Sequence, residues 1–185
     1  MKIIAFDQST TATGWAVLEK ETAEIIQHGV LKPTGETNDR IRQTVKQCLW
    51  LVDEFEVTFV FIEGIYARLN PKVFEILAKL SGTLEIMLEE KGYFVNVVKP
   101  SEWRKRVGIK NRKRNEVKKE AIELVHTLYG IKASEDECEA ILFARAFCDE
   151  QKEQPNVQNN DKRSRLSKGN PFQNKSIEVR AKNRH

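Results

Sequence analysis

The sequence predicts an α/β domain in which helices flank a five-stranded mixed sheet. Short apolar runs rich in β-branched residues, which are typical of buried strands, alternate with longer segments whose apolar residues recur at helical spacing. The first three strand candidates follow one another closely, which predicts an antiparallel meander. The later strands are separated by helices, which predicts that they pair in parallel.

The first half of the chain supplies four of these strands. In chain order its elements are strands over residues 3–7, 14–19 and 23–31, a helix over about 37–54, and a strand over 57–62. The first strand stops at the carboxylate of Asp7, and the fourth is followed directly by Glu63. Burying an acid at the end of a strand is costly unless it is paired or binds a cation.

The second half adds one strand and four helices before the apolar pattern ends. In chain order these are a helix over 70–90, a strand over 93–98, a short helix over 101–106, and helices over about 114–129 and 134–149. After residue 150, apolar residues become sparse and Asn, Gln, Lys, Arg and Ser dominate. We therefore expect a folded domain over 1–150 and a disordered basic tail over 151–185.

Composition excludes several classes of protein. The chain has 185 residues, 40% hydrophobic and 31% charged, with no apolar run near the ~20 residues that span a bilayer. We expect a cytoplasmic protein without a membrane partner, and its 3 scattered cysteines are expected to be reduced. The net charge is +4, and basic residues crowd between 99 and 119 and in the tail. This distribution predicts contacts with phosphate, and a solvated helix face is the alternative.

Four acids stand where they can meet at one place. If the strands that end at Asp7 and Glu63 are parallel neighbours, both carboxylates lie at the same edge of the sheet. Asp136 and Glu139 are three residues apart on the last helix and share one face. Four carboxylates repel one another unless hard cations lie between them, which predicts two Mg²⁺ or Mn²⁺ ions ~4 Å apart that grip a phosphodiester.

Each acid also has a simpler interpretation. Acids at strand ends are often loop residues, and acids in the first turn of a helix favour its dipole. Glu135 and Glu137 are interpreted in this second way, as solvated partners of the dipole.

The order and spacing of three motifs resemble the RuvC family of Holliday-junction resolvases, and its phage-encoded branch most closely. The motifs are Asp7 followed by Gly14-Trp15-Ala16-Val17, then Ile62-Glu63-Gly64, then the segment from Asp136 to Ile141. The resemblance covers about residues 1–148. It implies a ribonuclease-H-like fold, a homodimer and metal-dependent incision of four-way DNA junctions, with Asp7, Glu63, Asp136 and Glu139 as metal ligands.

Two positions depart from the pattern of the cellular members of this family. Those members carry Pro-Gly after the first acid, where this chain has Gln8-Ser9, and they usually carry Asp at the position of Glu139. A glutamate reaches ~1.5 Å further than an aspartate. We expect these changes to alter sequence selectivity and metal preference more than the type of reaction.

The resemblance also assigns residues that contact DNA. Arg114 falls where cellular members have a lysine; its bidentate fork suits charge stabilisation, and it does not act as a general acid. Tyr66 is expected to stack on bases at the junction centre, which is worth ~1–3 kcal/mol, with a partly buried loop tyrosine as the alternative. Further phosphate contacts are predicted for Arg68, Lys110, Arg112, Lys113 and Lys118.

Apolar and histidine side chains complete the predictions. Trp15, Phe59, Phe61 and Phe94 are predicted to lie in the core. Trp103 is predicted to lie there too, with a wall of the DNA-binding surface as the alternative. On the helix over 70–90, Phe74, Ile76 and Met87 lie off the main apolar stripe, which predicts a subunit interface. The histidines His28, His126 and His185 show no ligand spacing and are assigned no role.

Two other functions fit part of the sequence. The segment from Asp7 to Gly14 also resembles the phosphate loop of actin-like sugar kinases and ATPases. Those proteins need a second domain and a glycine-rich nucleotide site, whereas this chain has 9 dispersed glycines. We expect no nucleotide cofactor. The second alternative is a non-catalytic module that binds DNA junctions, which would tolerate Asp7→Asn.

Overall fold

A computed structural model of the protein describes residues 1–9, 11–65, 70–110 and 113–149. The strands are β1 (Lys2–Asp7), β2 (Thr13–Glu19), β3 (Ile25–Leu31), β4 (Phe59–Glu63) and β5 (Phe94–Val98). The helices are α1 (Thr37–Glu54), α2 (Pro71–Glu90), α3 (Pro100–Arg106), α4 (Arg114–Tyr129) and α5 (Glu135–Arg145). The element order is as predicted, although α5 ends at Arg145 and does not reach residue 149.

The strands form one sheet in the order β3-β2-β1-β4-β5. The pairs β1–β2 and β2–β3 are antiparallel, whereas β1–β4 and β4–β5 are parallel. The predicted five-stranded mixed sheet is therefore confirmed. Because Phe6 of β1 lies opposite Ile62 of β4, the acids that follow them emerge at the same edge.

Helices cover both faces of the sheet, so β1 is apolar throughout. Alternate residues of a strand point to opposite faces. Ile3 and Ala5 pack with residues of α4 and α5, while Ile4 and Phe6 pack with residues of α1 and α2. A strand buried on both sides reads as a continuous apolar run, which is what residues 3–6 show.

Close packing of α5 on the sheet depends on small residues. A Cβ atom added to Gly14 of β2 would lie 2.2 Å from the carbonyl oxygen of Asp136 and 3.4 Å from the Cβ atom of Ala140. The start of α5 is fixed by a capping box, in which Ser134 and Glu137 bond each other's backbone amides. These contacts set how deeply the acids of α5 reach toward β1.

One predicted core residue is exposed. Trp15, Phe61 and Trp103 are buried and Phe59 is half-buried, but Phe94 is 67% exposed. Phe94 lies on β5, an edge strand, and its ring contacts that of Phe59 with centroids 5.9 Å apart. An apolar strand at the edge of a sheet looks the same in sequence as one at the centre, which explains the error.

Some predictions concern residues that the structure does not describe. The tail over 151–185 and the residues Tyr66, Arg68 and Arg112 lie outside the described ranges, so their roles stay predictions. Among the helices in the described ranges, none has the length and apolar character needed to cross a membrane.

Candidate active site

Asp7 and Glu63 lie side by side where β1 and β4 end. The two strands are parallel neighbours, so their carboxyl ends meet at one edge of the sheet. The two carboxyl groups lie close enough for the negative charge of Glu63 to raise the pKa of Asp7, after the larger effect of burial.

The helix α5 brings the other two acids to this edge. Glu139 is buried, and its charge acts on both Asp7 and Glu63. Asp136 lies one turn earlier, near enough to raise the pKa of Glu139, and its backbone packs on Gly14, the strand partner of Asp7. The predicted convergence of acids from β1, β4 and α5 is therefore observed; their role as metal ligands remains a proposal.

Burial and mutual repulsion perturb these acids. Burial raises the pKa of Asp7 well above its usual range, and the negative charges of Glu63 and Glu139 raise it further. Burial also raises the pKa of Glu139, an effect that the charge of Arg104 opposes. The site therefore holds more negative charge than its surroundings neutralise.

The short helix α3 supplies two side chains that the sequence analysis did not place in the site. The indole Nε1 of Trp103 donates a 2.8 Å hydrogen bond to Oε1 of Glu63. A guanidinium nitrogen of Arg104 lies 3.2 Å from Oε1 of Glu139 and 3.7 Å from Oε1 of Glu63. The predicted core position of Trp103 is confirmed, yet its polar edge also orients a catalytic candidate.

Gln8 connects the ends of the two central strands. Its Nε2 donates a 3.1 Å hydrogen bond to the carbonyl oxygen of Glu63, and the side chain is buried. Within the described ranges its Oε1 has no hydrogen-bond partner. The departure from Pro-Gly after the first acid thus places an amide beside the acidic cluster.

Basic residues at the start of α4 lie beside the start of α5. Lys118 pairs with Glu135 at 2.5 Å, and its charge also interacts with Asp136 and Glu139. Arg114 is exposed and lowers the pKa of Glu135 after the larger effect of Lys118. Lys113 and Lys110 are exposed, and Lys113 lies 3.6 Å from Glu116. Lys118 and Arg114 therefore lie beside the first turn of α5, which carries Asp136.

Glu137 lies in the first turn of α5, as predicted, but it is not solvated. Its carboxylate accepts hydrogen bonds from the amide (2.9 Å) and hydroxyl (2.6 Å) of Ser134, and lies 2.8 Å from Nδ1 of His28. His28, which had no assigned role, thus ties β3 to the first turn of α5. This contact joins residues 109 positions apart, so no local sequence pattern predicts it.

The donor set suits a hard divalent cation. All four candidate ligands offer carboxylate oxygens, the atoms that Mg²⁺ and Mn²⁺ prefer, and burial and the charges of Glu63 and Glu139 make the ionised form of Asp7 costly without a cation. In the part of the chain that the structure describes, no three His, Cys, Asp or Glu side chains are arranged to hold a metal as they stand. Arg104 lies against two of the acids at this point.

Comparison with known proteins adds the family and the fold. A family model described as crossover junction endodeoxyribonuclease RuvC matches residues 3–146. No curated protein sequence matches the chain.

Three solved structures share the fold at low sequence identity. Thermus thermophilus RuvC in complex with Holliday junction substrate is 16% identical, with a TM-score of 0.65 over 79% of this chain and 91% of that chain. The yeast mitochondrial Holliday junction resolvase is 14% identical, with a TM-score of 0.55 over 78% of this chain and 76% of that chain. A Fowlpox virus resolvase in complex with Holliday junction DNA is 11% identical, with a TM-score of 0.50 over 80% of this chain and 94% of that chain.

Proposed function

This chain belongs to the RuvC family of crossover junction endodeoxyribonucleases, and we propose that it cuts four-way DNA junctions and related branched DNA by metal-dependent hydrolysis. The observation that carries the proposal is the meeting of Asp7, Glu63 and Glu139 at one sheet edge, with Asp136 one helical turn away. Burying several carboxylates close together is costly, and acids with a purely structural role would not have to share one site in this way.

Two divalent ions, Mg²⁺ or Mn²⁺, would be held by Asp7, Glu63, Asp136 and Glu139. When bound, such ions lower the pKa of water and stabilise the charge that develops on the leaving oxygen. The protein's own groups prepare the site. Trp103 fixes one oxygen of Glu63, and Gln8 ties the end of β1 to the end of β4.

The basic residues beside the site would bind the DNA backbone. Arg114, Lys113 and Lys110 are exposed at the start of α4 or in the segment just before it, where phosphates can reach them. Arg114 keeps its proton at any working pH, so we assign it to charge stabilisation. Tyr66, with Arg68 and Arg112, completes the proposed contacts, with Tyr66 stacking on junction bases.

The cleavage test compares wild type with Glu63→Gln on labelled junction, fork and duplex DNA in Mg²⁺. The amide keeps an oxygen that accepts from Trp103 but loses the charge, so we expect cleavage to fall about 100-fold or more. Glu90→Gln on the exposed end of α2 is the matched control and should cut normally. Equal cleavage by wild type and Glu63→Gln would contradict the proposal.

The same experiment separates the alternatives. A non-catalytic module would bind the junction in Mg²⁺ or Mn²⁺ without cutting it, and Glu63→Gln would change nothing. The family match favours a nuclease over an actin-like ATPase. Comparing the three DNA forms also measures whether forks are accepted.

A homodimer would pair two cuts by two-fold symmetry. On α2, Phe74, Ile86 and Met87 are exposed, which suits a subunit interface, whereas Ile76 is partly buried against the core. In sedimentation at micromolar concentration we expect a dimer for wild type and a monomer for Met87→Glu. The control Ile122→Glu changes an exposed apolar residue on α4 and should stay dimeric; a monomeric wild type would contradict the dimer.

A further inference from the structure

Arg104 occupies an unusual position within the acidic cluster. Its guanidinium lies 3.2 Å from Oε1 of Glu139 and 3.7 Å from Oε1 of Glu63, so one cation faces two candidate metal ligands. The guanidinium carbon also lies 5.1 Å from the centroid of the Trp103 ring, whose Nε1 donates to the same Oε1 of Glu63. Its side chain is only 30% exposed, so water screens these contacts weakly.

The charge of Arg104 is permanent, because a guanidinium does not lose its proton in a protein. Its guanidinium faces the carboxylates of both Glu63 and Glu139, so its charge offsets part of theirs. Arg104 therefore supplies part of the positive charge that the acids need in the absence of metal.

The guanidinium is held only through part of its surface. It contacts the two carboxylates and the Trp103 ring, whereas its buried Nε has no hydrogen-bond partner within the described ranges. A divalent ion that binds Glu63 and Glu139 would require the same oxygens and would repel the guanidinium.

We propose that Arg104 is a built-in counter-cation that competes with a divalent ion for Glu63 and Glu139. The inference rests on the proposed metal site. It implies that Arg104 stabilises the metal-free protein and weakens metal binding, so that the ion displaces the guanidinium from the two carboxylates. A residue that merely positioned the ligands would have the opposite effect on metal affinity.

The test measures Mn²⁺ binding by calorimetry and thermal stability in Mn²⁺ or EDTA, without DNA, for wild type, Arg104→Gln and Arg104→Lys. For Arg104→Gln we expect a lower Tm in EDTA and a Kd for Mn²⁺ about tenfold tighter, equivalent to about 1.4 kcal/mol. Arg104→Lys keeps the charge and should stay near wild type. Arg106→Gln on the same helix removes an equal charge that is paired with Glu102 and stacked on Phe147, away from the acids, and should leave the Kd for Mn²⁺ unchanged.

Mn²⁺ binding by Arg104→Gln that equals or falls below that of wild type would overturn the inference alone. Asp7→Asn serves as the reference that lacks a metal ligand. If the wild-type protein binds no more Mn²⁺ than this variant, the proposed metal site is overturned, and the inference with it.

A second measurement tests the inference in the wild-type protein, in which the charge of Arg104 is retained. In the wild-type protein, the NMR signal of the Arg104 Nε–H group, assigned by its disappearance in Arg104→Lys, should shift on saturation with Mg²⁺. The Arg106 signal should not. An Arg104 signal that stays in place would overturn the inference even if Arg104→Gln does not fold.

Discussion

Replacing Asp7 with asparagine should abolish junction cleavage and, at the same time, stabilise the metal-free protein. Cleavage should fall at least about 100-fold, because the residue at the centre of the cluster loses its charge. The gain in stability has a separate cause. Burial raises the pKa of Asp7, and the charges of Glu63 and Glu139 raise it further, so its ionised form is unfavourable in the folded state.

The sign of the pH dependence follows from this raised pKa. The folded protein holds the Asp7 proton more tightly than the unfolded chain, so its contribution is most favourable at low pH. That contribution is lost as the pH rises through the folded-state pKa. In EDTA at neutral pH, Asp7→Asn should therefore melt above wild type, by ~2–4 °C if the gain is about 1 kcal/mol.

Melting curves across the pH range, with and without Mn²⁺, check the prediction. The difference between Asp7→Asn and wild type in EDTA should shrink as the pH falls, and Mn²⁺ should raise the Tm of wild type but not of the variant. Asp39→Asn is the control, since Asp39 is exposed in the first turn of α1 and pairs with Arg42. A variant that melts below wild type at neutral pH in EDTA would contradict the idea that Asp7 is destabilising.

Gly14→Ala should damage both fold and activity, although it adds one methyl group. The new Cβ would lie 2.2 Å from the carbonyl oxygen of Asp136 and 3.4 Å from the Cβ atom of Ala140. Backbone cannot yield as a flexible side chain does, so α5 must move away from β2. We expect a loss of about 3 kcal/mol of stability and, because Asp136 and Glu139 move with α5, a large loss of cleavage.

Gly82→Ala on α2 provides the matched control. A Cβ atom there would meet no described atom within 4 Å, and alanine favours a helix over glycine by roughly 0.5–1 kcal/mol. Gly82→Ala should thus raise the free energy of unfolding slightly and leave cleavage intact. Urea unfolding and junction cleavage measure both variants, and a Gly14→Ala protein as stable and active as wild type would show that α5 does not need this close approach.

Much of the fold was predictable because its signals are local. The apolar run that ends at Asp7, the β-prone run that ends at Glu63, and the glycine at 14 are visible in the sequence. The spacing of Asp136 and Glu139 on one helix face is equally local. With the resemblance between motifs, these features led to the correct family and sheet, and to the four acids that the structure brings to one edge.

The errors and omissions concern side chains whose environment is set by distant residues. Phe94 has the composition of a core strand, but its place at the sheet edge leaves it exposed. His28 meets Glu137 across the gap between β3 and α5. Neither the exposure of Phe94 nor the contact between His28 and Glu137 can be inferred from hydrophobic periodicity. Periodicity indicates which face of an element is buried, but it does not indicate which residues lie against that face.

The sequence by itself determined where the acids stand on their strands and helix, because strand ends and helix faces follow from short-range spacing. Only the tertiary structure decided that α3 would bring Trp103 and Arg104 onto Glu63 and Glu139. The physical reason is that a carboxylate pairs with whichever cation or hydrogen-bond donor the packing of distant segments brings within a few ångströms. In this protein those partners lie 35 to 41 positions apart along the chain.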